Sequence, residues 1–158
     1  MTYLIRRANA DDQPSILALV RSERLNPCDL RFSNFMLATT EAGAIGAAQI
    51  RRHRDGSREL GSVVVLPAWR GRRVAIRLID ALLADEIGSV FAITGIPRVG
   101  PSARWGFQPI DPATAPAPVR FNYRMGRMAG VISVIKGRPV NRLVVLERPP
   151  AGGVHPIL

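Results

Sequence analysis

One stretch constrains this chain more than any other: residues 61 to 87, GSVVVLPAWRGRRVAIRLIDALLADEI. A β-branched run closed by Pro67 reads as a buried strand. Beyond a short turn, Ala75, Leu78, Ile79, Leu82, Leu83 and Ile87 recur at helical spacing. They predict a helix from Arg72 to Ile87 with Gly88 as its C-cap. SVFAIT at 89–94 then reads as another short buried strand, and a helix between two such strands makes them parallel neighbours.

The charges on that helix run against its dipole. Arg70, Arg72, Arg73 and Arg77 crowd its start, where bases are normally disfavoured, while Asp80, Asp85 and Glu86 sit towards its end, where acids are. Of the 22 basic residues Lys136 is the sole lysine, so a general arginine preference is one explanation. It predicts about one arginine among positions 70–77, where four stand. The first N–H groups of a helix that follows a strand point into the connecting loop and surround an anion well. A diphosphate there would accept those donors and neutralise the guanidinium groups. Neither of the standard glycine-rich phosphate loops is present, which disfavours a P-loop or dinucleotide fold.

Around this unit, TYLIRRA at 2–8 reads as a first strand. A helix in NADDQPSILALVRSERL follows, with Asp11 or Asp12 as N-cap and Pro14 in its first turn. NPCDLRF breaks it and allows a short helical turn. FMLATTE, AIGAAQIRRH and ELGSVVVLP form three strands of an antiparallel meander, with Gly43 and RDGS at the turns. GIPRVGPSARWGFQPI is a loop, a brief helix and a turn into a strand, and DPATAPAP a structured connector. The tail GVISVIKGRPVNRLVVLERPP reads as two strands about a glycine turn, its first half equally compatible with helix. At 158 residues the expectation is one domain over 1–158, with a core over 3–124 and C-terminal strands or tail over 125–158.

No apolar run approaches the ~20 residues that cross a bilayer, and the first residues do not form a secretory signal, so a cytoplasmic protein with no membrane partner is expected. Cys28 is the single cysteine, which excludes an internal disulfide and reads as a small hydrophobe. His53 and His155 are isolated, so no metal is expected. The net charge of +10 and pI near 11.5 admit a nucleic-acid partner, as does RRHRDGSR. That reading is disfavoured, because no helix-turn-helix, zinc or aromatic stacking signature accompanies it.

The residues Val65-Leu66-Pro67 followed by Arg70-Gly71-Arg72-Arg73-Val74-Ala75 resemble the central motif of the GNAT superfamily of acyl-CoA N-acyltransferases. In that motif a strand ends in Val-x-Pro, and Arg/Gln-x-x-Gly-x-Gly/Ala opens a long helix. Arg73 stands where the family has its first glycine. IRRANADDQPSILALV is similar to the family's opening strand and helix, and SARWGF to the Gly-Phe after its fourth helix. Together these cover roughly residues 3–110. Within the superfamily, ELGSVVVLPAWR with Arg77-Leu78, FAIT, RWGFQPID and FNYR resemble most the acetyltransferase domain of N-acetylglutamate synthases.

The resemblance implies an α+β fold: a mostly antiparallel sheet of roughly six or seven strands with a V-shaped splay between two parallel strands, flanked by about four helices. It implies direct transfer of an acetyl group from acetyl-CoA, as co-substrate, to a primary amine of a small molecule such as an amino acid. Val63, Val64, Val65, Arg70, Gly71, Arg72, Arg73, Val74 and Ala75 would hold the coenzyme, with the backbone N–H of Val64 or Val65 polarising the thioester carbonyl. Glu59 is the candidate base; the alternative is an exposed strand-start acid pairing with Arg58 or Arg51. The family's usual acid is a tyrosine four residues before Gly-Phe, where Ser102 stands here. Tyr123 is the alternative acid and solvent the third. Arg24 or Arg31 could hold an acceptor carboxylate. A non-catalytic CoA sensor is the rival within the fold, and a homodimer is left open.

Overall fold

The structure, a computed structural model, describes residues 2–135 and 142–152. Lys136, the glycine turn at Gly137 and His155 lie outside the described residues. The strands are β1 (Leu4–Arg7), β2 (Phe35–Thr40), β3 (Gly43–Arg52), β4 (Arg58–Val65), β5 (Val90–Gly95), β6 (Gln108–Pro109) and β7 (Leu143–Arg148). The α-helices are α1 (Gln13–Ser22), α2 (Val74–Leu83), α3 (Val99–Ser102) and α4 (Ala117–Ile135). The strand order is β1-β2-β3-β4-β5-β7-β6, a mixed sheet with β4 and β5 parallel. The expected α+β class and the parallel pair are what the molecule has. The chain divides into two compact units, Met1–Arg52 with Leu60–Glu86, and His53–Glu59 with Ile87–Leu158.

In the first unit β1 pairs antiparallel with β2, from Leu4↔Thr39 to Arg7↔Met36, and β2 with β3 through Phe35↔Gln49 to Thr40↔Gly43. The apolar stripe of α1 buries Ile16, Leu19 and Val20 against Phe35, Leu37, Ala47 and Val64. On α2 the buried residues are Val74, Leu78, Ile79, Leu82 and Leu83. Gly46 on β3 lets this helix come close: a Cβ there would lie 3.0 Å from the Val64 carbonyl oxygen and 3.2 Å from Val74 Cγ1.

Two expected boundaries are corrected. The helix starts at Val74 and not Arg72, and it ends at Leu83 with Ala84 as C-cap, short of Ile87 and Gly88. Ile87 is 82% exposed, so the apolar period had no burial to sustain it. At α1, Asp12 is the N-cap residue as expected, but its side chain makes no capping hydrogen bond to the helix. A 3-10 turn over Ala10–Asp12 precedes it, and Asn9 forms the capping box with Asp12. Asp12 instead receives both terminal nitrogens of Arg6, at 2.7 and 2.8 Å. This pairing, the largest cause, and the Asn9 amide pull its carboxyl down to about 2.

In the second unit β5 pairs antiparallel with β7 from Val90↔Arg148 to Gly95↔Leu143, and β6 adds to the far side of β7. Phe91, Ala115, Val119 and Val145 form its core, with Ile93, Ile110 and Tyr123 against it. Here the tail reading changes. Residues 117–135 are one helix, so GVISVI takes the helical alternative and not the strand, and the last two residues of DPATAPAP belong to α4 and not to the connector. α4 buries Val119 but leaves Phe121, Met125, Met128, Val131 and Ile132 exposed, so most of its apolar residues do not report a buried face.

Candidate functional site

The arginine-rich connection is built by backbone geometry. β4 ends at Val65, the Leu66 N–H donates to the Ile45 carbonyl at 2.9 Å, and a 3-10 turn spans Pro67–Trp69. Gly71 then takes φ +76° and Arg73 takes φ +62°, so two left-handed residues bracket Arg72 before α2 begins. Arg73 is the helix N-cap, and no side chain caps the helix. The first N–H groups of α2 have no intrahelical partner by the geometry of any helix, which makes this end a donor-rich turn suited to an anion.

Three of the four arginines precede α2 and only Arg77 lies in it, so their conflict with the dipole is smaller than the sequence suggests. They also have partners on the protein. Arg70 donates from Nε to the Val65 carbonyl at 3.1 Å and from Nη2 to Glu23 Oε1 at 2.6 Å. Arg72 lies over the Trp69 ring at 5.3 Å and Arg77 over the Tyr3 ring at 4.9 Å. The two rings meet edge-on at 6.2 Å, and the Tyr3 hydroxyl donates to the Arg72 carbonyl at 3.1 Å. Arg73 is exposed, Val74 buried and Ala75 half-buried.

Upstream on β4, Val64 is buried while Val63 and Val65 are half-buried. Before them Ser62 has φ +50°, a left-handed residue inside a strand, which changes the direction of the backbone that carries the three valines. The buried Ser62 hydroxyl accepts from Gln49 Nε2 at 2.9 Å and from Arg51 Nη2 at 3.0 Å. The sequence gives no hint of this polar cluster, since Gln49 and Arg51 alternate with apolar residues as any strand residues do.

In the second unit, Glu59 is 2% exposed, so it is a buried acid and not the exposed one that the alternative reading expects. Its Oε2 lies 3.0 Å from His53 Nε2 and accepts from Asn122 Nδ2 at 2.8 Å. The turn HRDGS makes the first contact: His53 N–H donates to Ser57 and Gly56 N–H to His53, both at 3.0 Å, with Gly56 at φ +85°. His53 and Asn122 are residues the sequence reading missed. The available signals were the hairpin turn between His53 and Glu59, and the position of Asn122 beside Tyr123.

The remaining candidates each have their own local contacts. The Ser102 hydroxyl donates to the Arg98 carbonyl at 2.7 Å. Tyr123 is half-buried on α4, its ring 5.8 Å from the Arg127 guanidinium carbon. Arg24 is exposed with φ +52°, and Arg31 is exposed with Nε 3.0 Å from Asp29. Among the described residues no group of histidine, cysteine and acid side chains is arranged to hold a metal, and no helix is long and apolar enough to cross a membrane.

No protein-family profile and no curated protein sequence matches the chain. Solved structures do. N-acetylglutamate synthase from Neisseria gonorrhoeae, complexed with coenzyme A and N-acetyl-glutamate, superposes with a TM-score of 0.68 at 21% identity over 96% of this chain and 36% of that one. The present chain therefore spans little more than a third of the synthase. Rv2747 from Mycobacterium tuberculosis, in complex with CoA, gives a TM-score of 0.67 at 21% identity over 94% and 99% of the two chains. The diaminobutyrate acetyltransferase EctA from Paenibacillus lautus, with its substrate and coenzyme A, gives 0.64 at 12% identity over 98% and 99%.

Proposed function

With the GNAT fold as premise, we propose that this chain transfers an acetyl group from acetyl-CoA to a primary amine of a small molecule, an amino acid being the favoured class. The observation that carries the reading is the strand-turn-helix of residues 63–77, with its two left-handed residues, its side-chain-free helix start and its four arginines. Neighbouring folds crystallised with coenzyme A support it, as does the diaminobutyrate complex for the acceptor class.

Acetyl-CoA supplies a thioester whose acyl carbon is open to attack. Gly71, Arg72, Arg73, Val74 and Ala75 bind its diphosphate through backbone N–H groups. Arg70 leaves Glu23, and Arg72 and Arg77 turn from their rings, to meet the added charge. A backbone N–H of Val64 or Val65, or of Val63, orients and polarises the thioester carbonyl. Glu59 accepts the proton of the acceptor's ammonium, directly or through water, because only the neutral amine attacks. Arg24 or Arg31 holds the acceptor's carboxylate. Tyr123 or solvent returns a proton to the thiolate; Ser102 is the weaker candidate, its hydroxyl proton being engaged by Arg98.

Thermal unfolding with added acetyl-CoA tests the binding half. A ligand held only by the folded state raises the melting temperature. A clear rise is expected in the wild type. Arg70→Ala should weaken affinity about tenfold, the scale of one charge-assisted contact. An unchanged response in the variant removes the diphosphate assignment. A second reading, a CoA-binding sensor without catalysis, is favoured by the engagement of Ser102; a melting shift with no thiol release across an amine panel would establish it.

A further inference from the structure

We propose that His53 is a positioning residue for Glu59 that also carries outward the proton Glu59 takes from the acceptor amine. The inference rests on Glu59 serving as the base. It comes from three side chains brought together within one unit: Glu59, His53 and Asn122.

Both neighbours meet the same carboxylate oxygen, with Nε2 of His53 at 3.0 Å and Nδ2 of Asn122 at 2.8 Å. They differ in what they can do next. The amide nitrogen of Asn122 only donates, so it fixes Oε2 in place. Imidazole is a donor in one form and an acceptor in another, so once Oε2 carries a proton, His53 Nε2 is the neighbour of the two that can take it. Exposure gives the direction. The side chain of Glu59 is 3% exposed and that of His53 is 14% exposed, on a turn whose residues Arg54, Asp55 and Gly56 are all exposed.

The steps balance. An N–H bond of the ammonium breaks as an O–H bond forms on Glu59, and the freed electron pair makes the amine nucleophilic. The O–H bond breaks as N–H forms at His53 Nε2, and the imidazolium releases its Nδ1 proton to water or buffer. His53 ends neutral as the Nε2–H tautomer, donating to ionised Glu59, and proton exchange with water back to the Nδ1–H tautomer frees Nε2 to accept at the next turnover. Charged groups acting on the ring include Glu59 and Asp55. The Asp55 carboxyl is held below its usual range chiefly by the Ser57 hydroxyl, then by the Ser57 amide and, in lesser part, by charge on His53. Asn122, from α4, adds no charge.

The test compares wild type, His53→Ala, His53→Gln and Glu59→Gln, with acetyl-CoA and an amine that the wild type accepts. Both His53 variants should lose roughly 10- to 100-fold in kcat, within the usual range of acid-base effects, and keep the acetyl-CoA melting shift. Imidazole added to the buffer should restore His53→Ala in proportion to its concentration, which a merely structural role would not allow. Wild-type kcat and pH profile in both variants, or failure of imidazole to rescue, would overturn the relay. Full activity in Glu59→Gln would instead remove the base on which it rests. A readout independent of turnover is the pH titration of the His53 ring nitrogens by NMR. Its midpoint should move in Glu59→Gln, and an unmoved midpoint means the two groups are not coupled.

Discussion

The arginine turn and the Glu59 hairpin hold charge in opposite ways. Arg70 meets Glu23 with side chains 53% and 35% exposed, and Arg72 and Arg77 lie over aromatic faces at the surface. Exposed pairs of this kind contribute about 0–1 kcal/mol, so exchanging Glu23 for a diphosphate costs the protein little. Glu59 is nearly sealed from water, and the two contacts at its Oε2 are made where an abandoned polar group is expensive. On the proposed function the difference would separate two tasks: cations that bind a diphosphate must be free to change partner, whereas a carboxylate that takes a proton must be held in place with few ways for the proton to leave.

The largest expected effect tests the second half of that contrast. Glu59→Ala leaves the Asn122 amide and the His53 ring without their acceptor in a buried setting, which should cost about 3 kcal/mol of stability in urea unfolding. Arg70→Ala, at the exposed turn, should cost less than about 1 kcal/mol in the same measurement. Equal losses would break the distinction between the two regions.

A pair of intermediate exposure sharpens it. Arg6 and Asp12 have side chains 37% and 14% exposed, and the Asp12 carboxyl lies at about 2, below its ordinary 3.8. A depressed carboxyl stabilises the fold above its unfolded value and stops doing so as pH falls through the folded one. Stability should therefore drop between about pH 4 and pH 2. The loss should be about 1 kcal/mol, after allowance for water around Arg6. Asp12→Asn should abolish this part of the acid transition; an unaltered transition would mean the pair is screened like a fully exposed one.

How far the sequence reveals this molecule follows from which signals are local. β2, β3, β4 and α2 announce themselves because alternation and helical spacing coincide with burial, as at Val64, Leu78 and Leu82. The arginine-rich turn is legible because its residues are contiguous. α4 is only partly legible: its first turns follow a proline-rich stretch that reads as a connector, and Met128, Val131 and Ile132 face outward, so GVISVI has no buried face to decide between strand and helix. Glu59 can be singled out by its place on β4, but its setting cannot. Asn122 is 63 residues away, and nothing local to either residue encodes their meeting.

The smallest effect concerns Arg73, the one motif position where this chain departs from the glycine of the GNAT pattern. Its φ of +62° is a conformation that glycine adopts freely and an L side chain at a cost of about 1 kcal/mol. Glycine gives part of that back, because its unfolded chain has more freedom to lose, by roughly 0.5 kcal/mol. Arg73→Gly should therefore raise the melting temperature by about 1–2 °C in a chain of this size. The same variant removes a guanidinium and permits closer approach to the helix start. If exposed charge is what the turn contributes, the acetyl-CoA shift should shrink; if backbone approach dominates, it should grow. A fall in melting temperature would show that the Arg73 side chain is held by the protein more firmly than the other arginines of the turn, and the contrast with the Glu59 hairpin would no longer be one of exchangeable against fixed charge.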